Sequence, residues 1–116
     1  DQEIVHRKDV PAMINSEINA VKERLCEALA PTRIYLFGSY ATDTYTEDSD
    51  YDFYVVVPDD AGDRIALAQK AYRSLRGVRQ RPVDIVVGYE SRFDERAREN
   101  TLEKVVAQEG VLLYGA

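Results

Sequence analysis

The stretch FGSYATDTYTEDSDYDFYVVV, residues Phe37–Val57, joins the end of one apolar segment to the whole of another through an acidic spacer. The apolar parts are rich in aromatic and β-branched residues, which predicts two β-strands connected by a loop. A ten-residue stretch of the spacer and the second strand contains five carboxylates: Asp43, Glu47, Asp48, Asp50 and Asp52. Like charges repel, so this crowding indicates a solvated loop, a calcium-binding loop or a set of metal ligands.

The segments on either side of this stretch carry helical and strand patterns in turn. The predicted helices are Pro11–Ala30, Ile65–Leu75, Ser91–Ala97 and one that a capping box at Asn100–Glu103 opens and that runs through Gln108. The predicted strands are Arg33–Phe37, Tyr51–Val57, Pro82–Val87 and Val111–Tyr114. This order predicts an α/β (α+β) fold, a small mixed β-sheet with helices packed on it. The short link between the first two strands favours antiparallel pairing there.

Composition and charge exclude several classes of protein. With 116 residues, 45% of them apolar, the chain fits one domain, 1–116, that buries a core without disulfides. Its apolar runs are strand-sized, so no membrane span is expected. The single cysteine, Cys26, and a polar Asp1–Lys8 without signal-peptide features lead us to expect a cytoplasmic protein. A formal net charge of −6 argues against direct binding to a nucleic acid backbone, although Mg²⁺ and backbone N–H groups can still meet nucleotide phosphates.

The calcium-loop interpretation fails on the residues that follow the acidic ones. Asp48, Asp50 and Asp52 fit the first half of an EF-hand loop, but Phe53 stands where that loop needs glycine. Asp59 holds the place of the bidentate glutamate, and a strand lies between. Asp43, Glu47 and Asp48 are each typical of a solvated loop.

Asp50 and Asp52 fit a metal site better, because side chains two apart on a strand point to the same face. Two carboxylates held this close need a cation between them or a shared proton, and oxygen ligands suit Mg²⁺ or Mn²⁺. Asp84 interrupts the apolar strand Pro82–Val87. By itself Asp84 fits a solvent-facing position equally well; if its strand neighbours Tyr51–Val57, it completes a triad.

Gly38 and Ser39 end the first strand. Glycine permits a close backbone approach there, and serine can offer an N–H and a hydroxyl to a phosphate. Gly-Ser alone is common in turns, so its weight comes from its fixed distance to the carboxylate pair. Elsewhere, the basic residues Arg73, Arg76, Arg79 and Arg81 are typical of a solvated face.

In combination these residues resemble the nucleotidyltransferase superfamily that includes DNA polymerase β and the aminoglycoside nucleotidyltransferases. Its signature is Gly-Ser, a spacer of about ten residues, Asp-x-Asp, and a third acidic residue on a later strand. The chain is most similar to the minimal nucleotidyltransferases, or MNT proteins, which pair with HEPN partners in toxin–antitoxin modules. Many of these carry G-S-x-A-R-G before S-D-x-D, and the resemblance spans roughly Arg33 to Tyr114.

The resemblance implies a reaction and a set of roles. A nucleoside monophosphate, AMP from ATP, would pass to a hydroxyl, and for MNT proteins the acceptor is a tyrosine of the HEPN toxin. Asp50, Asp52 and Asp84 would be the catalytic and metal-binding residues for Mg²⁺ or Mn²⁺. Gly38 and Ser39 would bind the nucleotide phosphates. Without a second domain to hold the acceptor, a partner chain or a self-dimer must supply that pocket.

One departure leaves alternatives open. Thr42-Asp43 replaces the family's Arg-Gly, which removes a positive charge near the phosphates. A non-catalytic antitoxin that neutralises its partner by binding alone is therefore a second hypothesis. A transferase that modifies a small molecule, such as an antibiotic, is a third, and it would work without a partner.

Overall fold

The computed structural model describes residues 15–78 and 81–115. They form one four-stranded mixed sheet with helices packed on it, so the predicted fold class is confirmed. The helices are α1 (Ser16–Leu29), α2 (Ser39–Thr42), α3 (Arg64–Ser74), α4 (Glu90–Arg96) and α5 (Leu102–Glu109). The strands are β1 (Arg33–Phe37), β2 (Tyr51–Val57), β3 (Val83–Tyr89) and β4 (Val111–Tyr114), in the sheet order β3-β2-β1-β4.

Strand β2 has a neighbour on each side, and the two pairings differ in direction. It pairs antiparallel with β1, as the short link predicted, and parallel with β3. The antiparallel register places Phe37 opposite Asp52, and the parallel register places Asp84 beside Asp52. The end of β1 and the start of β3 therefore meet at the start of β2.

The two faces of the sheet are covered differently. The core face is the side to which Phe53 and Val55 point; α1 and α3 cover it completely, and both side chains are inaccessible to solvent. The site face is the side to which Asp52 and Tyr54 point. Phe93 of α4 and Val106 of α5 bury Tyr54 on that face in a second, smaller apolar cluster. Asp52 lies beyond this cluster, where the cover ends.

The boundaries of several elements differ from the predicted ones. Helix α1 begins at Ser16, because the Asn15 side chain accepts a hydrogen bond from the Ile18 amide and caps it. The predicted start, Pro11–Ile14, lies outside the described residues. Strand β3 runs on to Tyr89. The last helix is capped by Thr101, whose hydroxyl accepts from the Lys104 amide, rather than by Asn100.

No helix in the described part of the chain is both long and apolar enough to span a membrane.

Candidate active site

Two of the predicted carboxylates stand side by side at the start of β2. Asp52 and Asp84 are partners in the parallel register of β2 and β3, so adjacent strands carry them about 4.8 Å apart on the site face. Asp84 is exposed on the outer side, whereas Asp52 is partly buried between Asp84 and β1. The structure thus brings together two residues that are more than thirty positions apart in the sequence.

Asp50 lies in the spacer, directly before β2, and is partly buried. Its negative charge interacts electrostatically with Asp52. Burial, the negative charges of Asp84 and Asp50, and a hydrogen bond with Asp84 together raise the pKa of Asp52 to about 6. An unusual pKa of this kind, in which like charges are held together, is typical of functional sites.

The donor chemistry of these residues fits a hard divalent cation, because all three offer only carboxylate oxygens. A cation bound between Asp52 and Asp84 would offset the repulsion that the strand register imposes on them. The three carboxylates do not, however, converge on one point: among residues 15–78 and 81–115, no three acidic, histidine or cysteine side chains are grouped as ligands of one ion. The structure joins the Asp52–Asp84 pair and leaves Asp50 beside it.

Gly38 connects the end of β1 to this pair. Its backbone has φ 77° and ψ −154°, a combination that residues other than glycine avoid. A Cβ at this position would overlap the Asp52 carboxylate oxygen Oδ2. Glycine is therefore needed at position 38 both for the turn and for the space in which Asp52 sits.

Ser39 opens the single-turn helix α2, where the sequence predicted only a loop. The turn closes when the Thr44 amide donates to the Ser39 carbonyl, and Asp43 takes a left-handed conformation with φ 64° at its end. Aspartate tolerates this conformation, which glycine adopts most readily. Asp43, at the position of the glycine in Arg-Gly, thus takes a conformation that suits glycine, whereas Thr42 does not carry the arginine's charge.

Arg81 holds the acidic spacer in place, a role that sequence reasoning missed. Its Nη1 donates to the carbonyls of Glu47 and Ser49, each at 3.2 Å. The guanidinium lies over the rings of Tyr51 and Tyr40, at 5.3 and 5.7 Å from their centroids. Arg81 therefore fixes the segment that leads into Asp50. The signal that could have found it is the aromatic residues Tyr40 and Tyr51 on both sides of the spacer, which suit an arginine.

A polar network lies further along the site face. The Tyr54 hydroxyl donates to Glu103 Oε2 at 2.8 Å, and Arg96 Nε donates to Glu103 Oε1 at 3.0 Å. Burial and the neighbouring Glu103 raise the pKa of Tyr54. Burial opposes ionisation of Glu103, but the hydrogen bonds from Tyr54 and Arg96 outweigh it and hold the pKa of Glu103 below its usual value.

Several solved structures are similar to this chain. A structure assigned as a nucleotidyltransferase from Sulfolobus solfataricus has a TM-score of 0.61 at 19% identity, with 99% of this chain and 90% of that one covered; it shows the fold. A toxin–antitoxin crystal structure with AMP-PNP has a TM-score of 0.54 at 29% identity, over 88% of this chain and 75% of that one.

The third is the toxin–antitoxin MntA-HpeT, in a mutant that replaces two aspartates, separated by one residue, with glutamate. Its TM-score is 0.55 at 26% identity, with the same coverage of 88% and 75%. Among curated protein sequences, no match is found. The model of the family described as the nucleotidyltransferase domain matches residues 18–109, most of the chain. Because that match covers strands β1 to β3, the Gly38-Ser39 turn and all three aspartates, the chain belongs to the nucleotidyltransferase domain family.

Proposed function

We propose that this nucleotidyltransferase moves AMP from ATP to a tyrosine hydroxyl of a HEPN-type toxin, and so acts as its antitoxin in the cytoplasm. The observation that carries the proposal is the packing of Gly38 against Asp52 with Asp84 alongside, since a turn with N–H and hydroxyl donors next to a carboxylate pair suits a nucleotide and its metal ions. The similar structures support the rest, because one is a toxin–antitoxin with AMP-PNP and another is MntA-HpeT.

The positions of the residues suit an in-line displacement at the α-phosphate. Gly38 and Ser39 would hold the β- and γ-phosphates through N–H and hydroxyl donors on the β1 side of Asp52. Asp84 lies on the opposite side, where it would accept the proton of the acceptor hydroxyl. The acceptor oxygen then bonds to the α-phosphorus, the bond from that phosphorus to the bridging oxygen breaks, and pyrophosphate leaves.

Asp52 and Asp84 would hold Mg²⁺ or Mn²⁺ between them, with Asp50 as a further ligand from beside the pair. When bound, these ions would lower the pKa of the acceptor hydroxyl and stabilise the negative charge on the departing pyrophosphate. The protein's own contribution is to keep Asp52 partly buried between Gly38 and Asp84, because that position fixes its oxygens before any nucleotide binds.

Labelled ATP tests the proposal. The chain is incubated with Mg²⁺, the protein encoded beside it, and ATP labelled at the α-phosphate or, in a parallel reaction, at the γ-phosphate. We expect the α-label on a tyrosine of the partner, the γ-label in free pyrophosphate, and neither transfer in EDTA. A stable complex that neutralises the toxin without α-label would overturn transfer in favour of inhibition by binding alone. Label on a small molecule without the partner would overturn the protein acceptor.

A further inference from the structure

A cleft of about 560 Å³ opens on the site face, beyond Asp84 along β3. It lies between the start of α3, the end of β3 and helices α4 and α5. The residues of its lining that matter here are Tyr54, Gly88, Arg64, Arg92, Arg96 and Glu103. None of them belongs to the phosphate-binding turn or to the carboxylate pair.

The floor of the cleft is hydrogen-bonded and electrically balanced. Glu103, whose side chain is 12% exposed, accepts hydrogen bonds from both Tyr54 and Arg96, so its charge and that of Arg96 offset each other. A Cβ at Gly88 would overlap the Tyr54 hydroxyl, so glycine leaves the space that this hydroxyl occupies. The floor therefore contributes a defined shape to the cleft but no net charge.

The rim, in contrast, carries two positive charges without partners. Arg64 and Arg92 are exposed, and neither makes an ion pair or a side-chain hydrogen bond within the described residues. Their acidic neighbour Asp63 is already engaged, because its carboxylate accepts from the Ala66 amide and caps α3. With Asp63, Arg96 and Glu103 counted, the charged side chains of the lining sum to +1, in a chain of net charge −6.

The position of the cleft favours the acceptor over the nucleotide. In an in-line displacement the acceptor enters opposite the leaving group, and Gly38-Ser39 lies on the β1 side of Asp52. The acceptor must then approach from the β3 side, on which Asp84 stands. Gly88 follows four residues after Asp84 on the same face, roughly 13 Å further along the strand. A chain segment with its hydroxyl at Asp84 can reach the cleft with its flanking residues.

We propose that this cleft docks the acceptor protein through an acidic segment beside the reactive hydroxyl, whose carboxylates pair with Arg64 and Arg92. Guanidinium groups bind carboxylates in a two-pronged, directional way, which would set the direction of the segment. A nucleic acid is disfavoured, because its regularly spaced phosphates need an extended basic surface, whereas the cleft offers one pair of exposed arginines in a chain of net charge −6. The identity of the reaction rests on the proposed function, but the docking can be measured without it.

Two short fluorescent peptides test the docking by anisotropy: a tyrosine flanked by glutamates, and the same peptide with glutamines. The protein variants are Arg64→Gln/Arg92→Gln and, as a control with the same change of charge, Arg73→Gln/Arg76→Gln. We expect the acidic peptide to bind wild type and control about tenfold more tightly than the neutral one, and the cleft variant to lose this preference. Equal binding of both peptides to wild type, or equal preference in both variants, would overturn the docking.

Transfer kinetics separate this inference from the proposed function. With the partner protein as acceptor, the cleft variant should raise the KM for the partner about tenfold and leave the KM for ATP near that of wild type. A rise in the KM for ATP alone would assign the arginines to the nucleotide and overturn the docking. If wild type transfers no AMP, the proposed reaction is wrong, and the peptide measurements still decide whether the cleft binds acidic segments.

Discussion

The two faces of strand β2 serve different purposes. On the core face, Phe53, Val55 and Val57 are completely buried beneath α1 and α3. On the site face, Tyr54 is buried, but Asp52, two residues earlier in the strand, is half-buried between Gly38 and Asp84. Alternate residues of one strand thus belong to the core and to the proposed reactive centre. We therefore expect substitutions on the core face to lower stability, and substitutions at the start of the site face to lower activity.

Among variants that keep all three aspartates, the largest effect should come from Gly38→Ala. A side chain at φ 77° strains the backbone, and its Cβ would displace the Asp52 carboxylate. We expect AMP transfer to fall about 100-fold, as a displacement near 1 Å in a reactive centre can cause. Gly77→Ala is the matched control, because Gly77 has φ 79° but no atom near the added Cβ. If both variants lose activity equally, backbone strain and not the contact with Asp52 would be responsible.

Val55→Ala tests the core face. It removes two buried methyl groups under α1 and α3, which should lower the free energy of unfolding by about 2–3 kcal/mol. Because Val55 points away from Asp52, transfer per folded molecule should stay near that of wild type. Urea unfolding and an activity assay at equal folded concentration measure the two quantities. A matching loss of specific activity would show that the two faces are coupled.

Arg81→Ala should affect activity less than Gly38→Ala and more than Val55→Ala, since it loosens the spacer without touching the carboxylate pair. We expect transfer to fall about tenfold and the Mg²⁺ concentration for half-maximal activity to rise, because Asp50 loses its fixed position. Arg81→Lys should recover only part of the activity, as lysine cannot bond two carbonyls and stack on two rings at once. Arg73→Ala, at an exposed position of α3, serves as the control. An unchanged Mg²⁺ dependence in Arg81→Ala would limit Arg81 to a purely structural role.

The smallest effect concerns Glu103, at the buried end of the site face. Its pKa is lowered in the folded state, so its ionisation stabilises the fold above the ordinary glutamate pKa, and this stability is lost as the pH falls through the lowered value. Glu103→Gln should therefore cost about 1 kcal/mol at neutral pH and nothing in strong acid. Urea unfolding across the pH range checks this. A difference between the two proteins that persists in strong acid would mean that Glu103 acts through packing.

Much of the sheet could be predicted from the sequence, because Tyr51–Val57 and Arg33–Phe37 have clear strand composition between turn residues. The sequence predicted the proximity of Asp52 and Asp84 only on the condition that their two strands are neighbours. It needs a particular parallel register, and a slip of one residue would turn Asp84 to the other face. No local pattern in the sequence fixes that register.

Other features of the site arise only in three dimensions. Arg81 looked like one of several solvated basic residues, since its role depends on where the spacer folds back. The sequence shows that Thr42-Asp43 lacks the positive charge of Arg-Gly, but only the structure shows that Asp43 takes a left-handed conformation, which suits glycine. The pairing of Tyr54 with Glu103 joins residues 49 positions apart, which short-range periodicity does not reveal.

The most direct test of the central claim compares two aspartates from the same acidic stretch. The rate of α-label transfer from ATP is measured for Asp52→Asn and Asp48→Asn, with melting temperatures recorded in EDTA. We predict that the transfer rate of Asp52→Asn falls about 1000-fold or more, because a proposed metal ligand is lost. Its melting temperature should stay equal or rise, because one of two crowded negative charges is removed. Asp48→Asn, whose side chain is exposed, should remain within about twofold of wild type. Substantial transfer by Asp52→Asn, or an equal loss in both variants, would contradict the account.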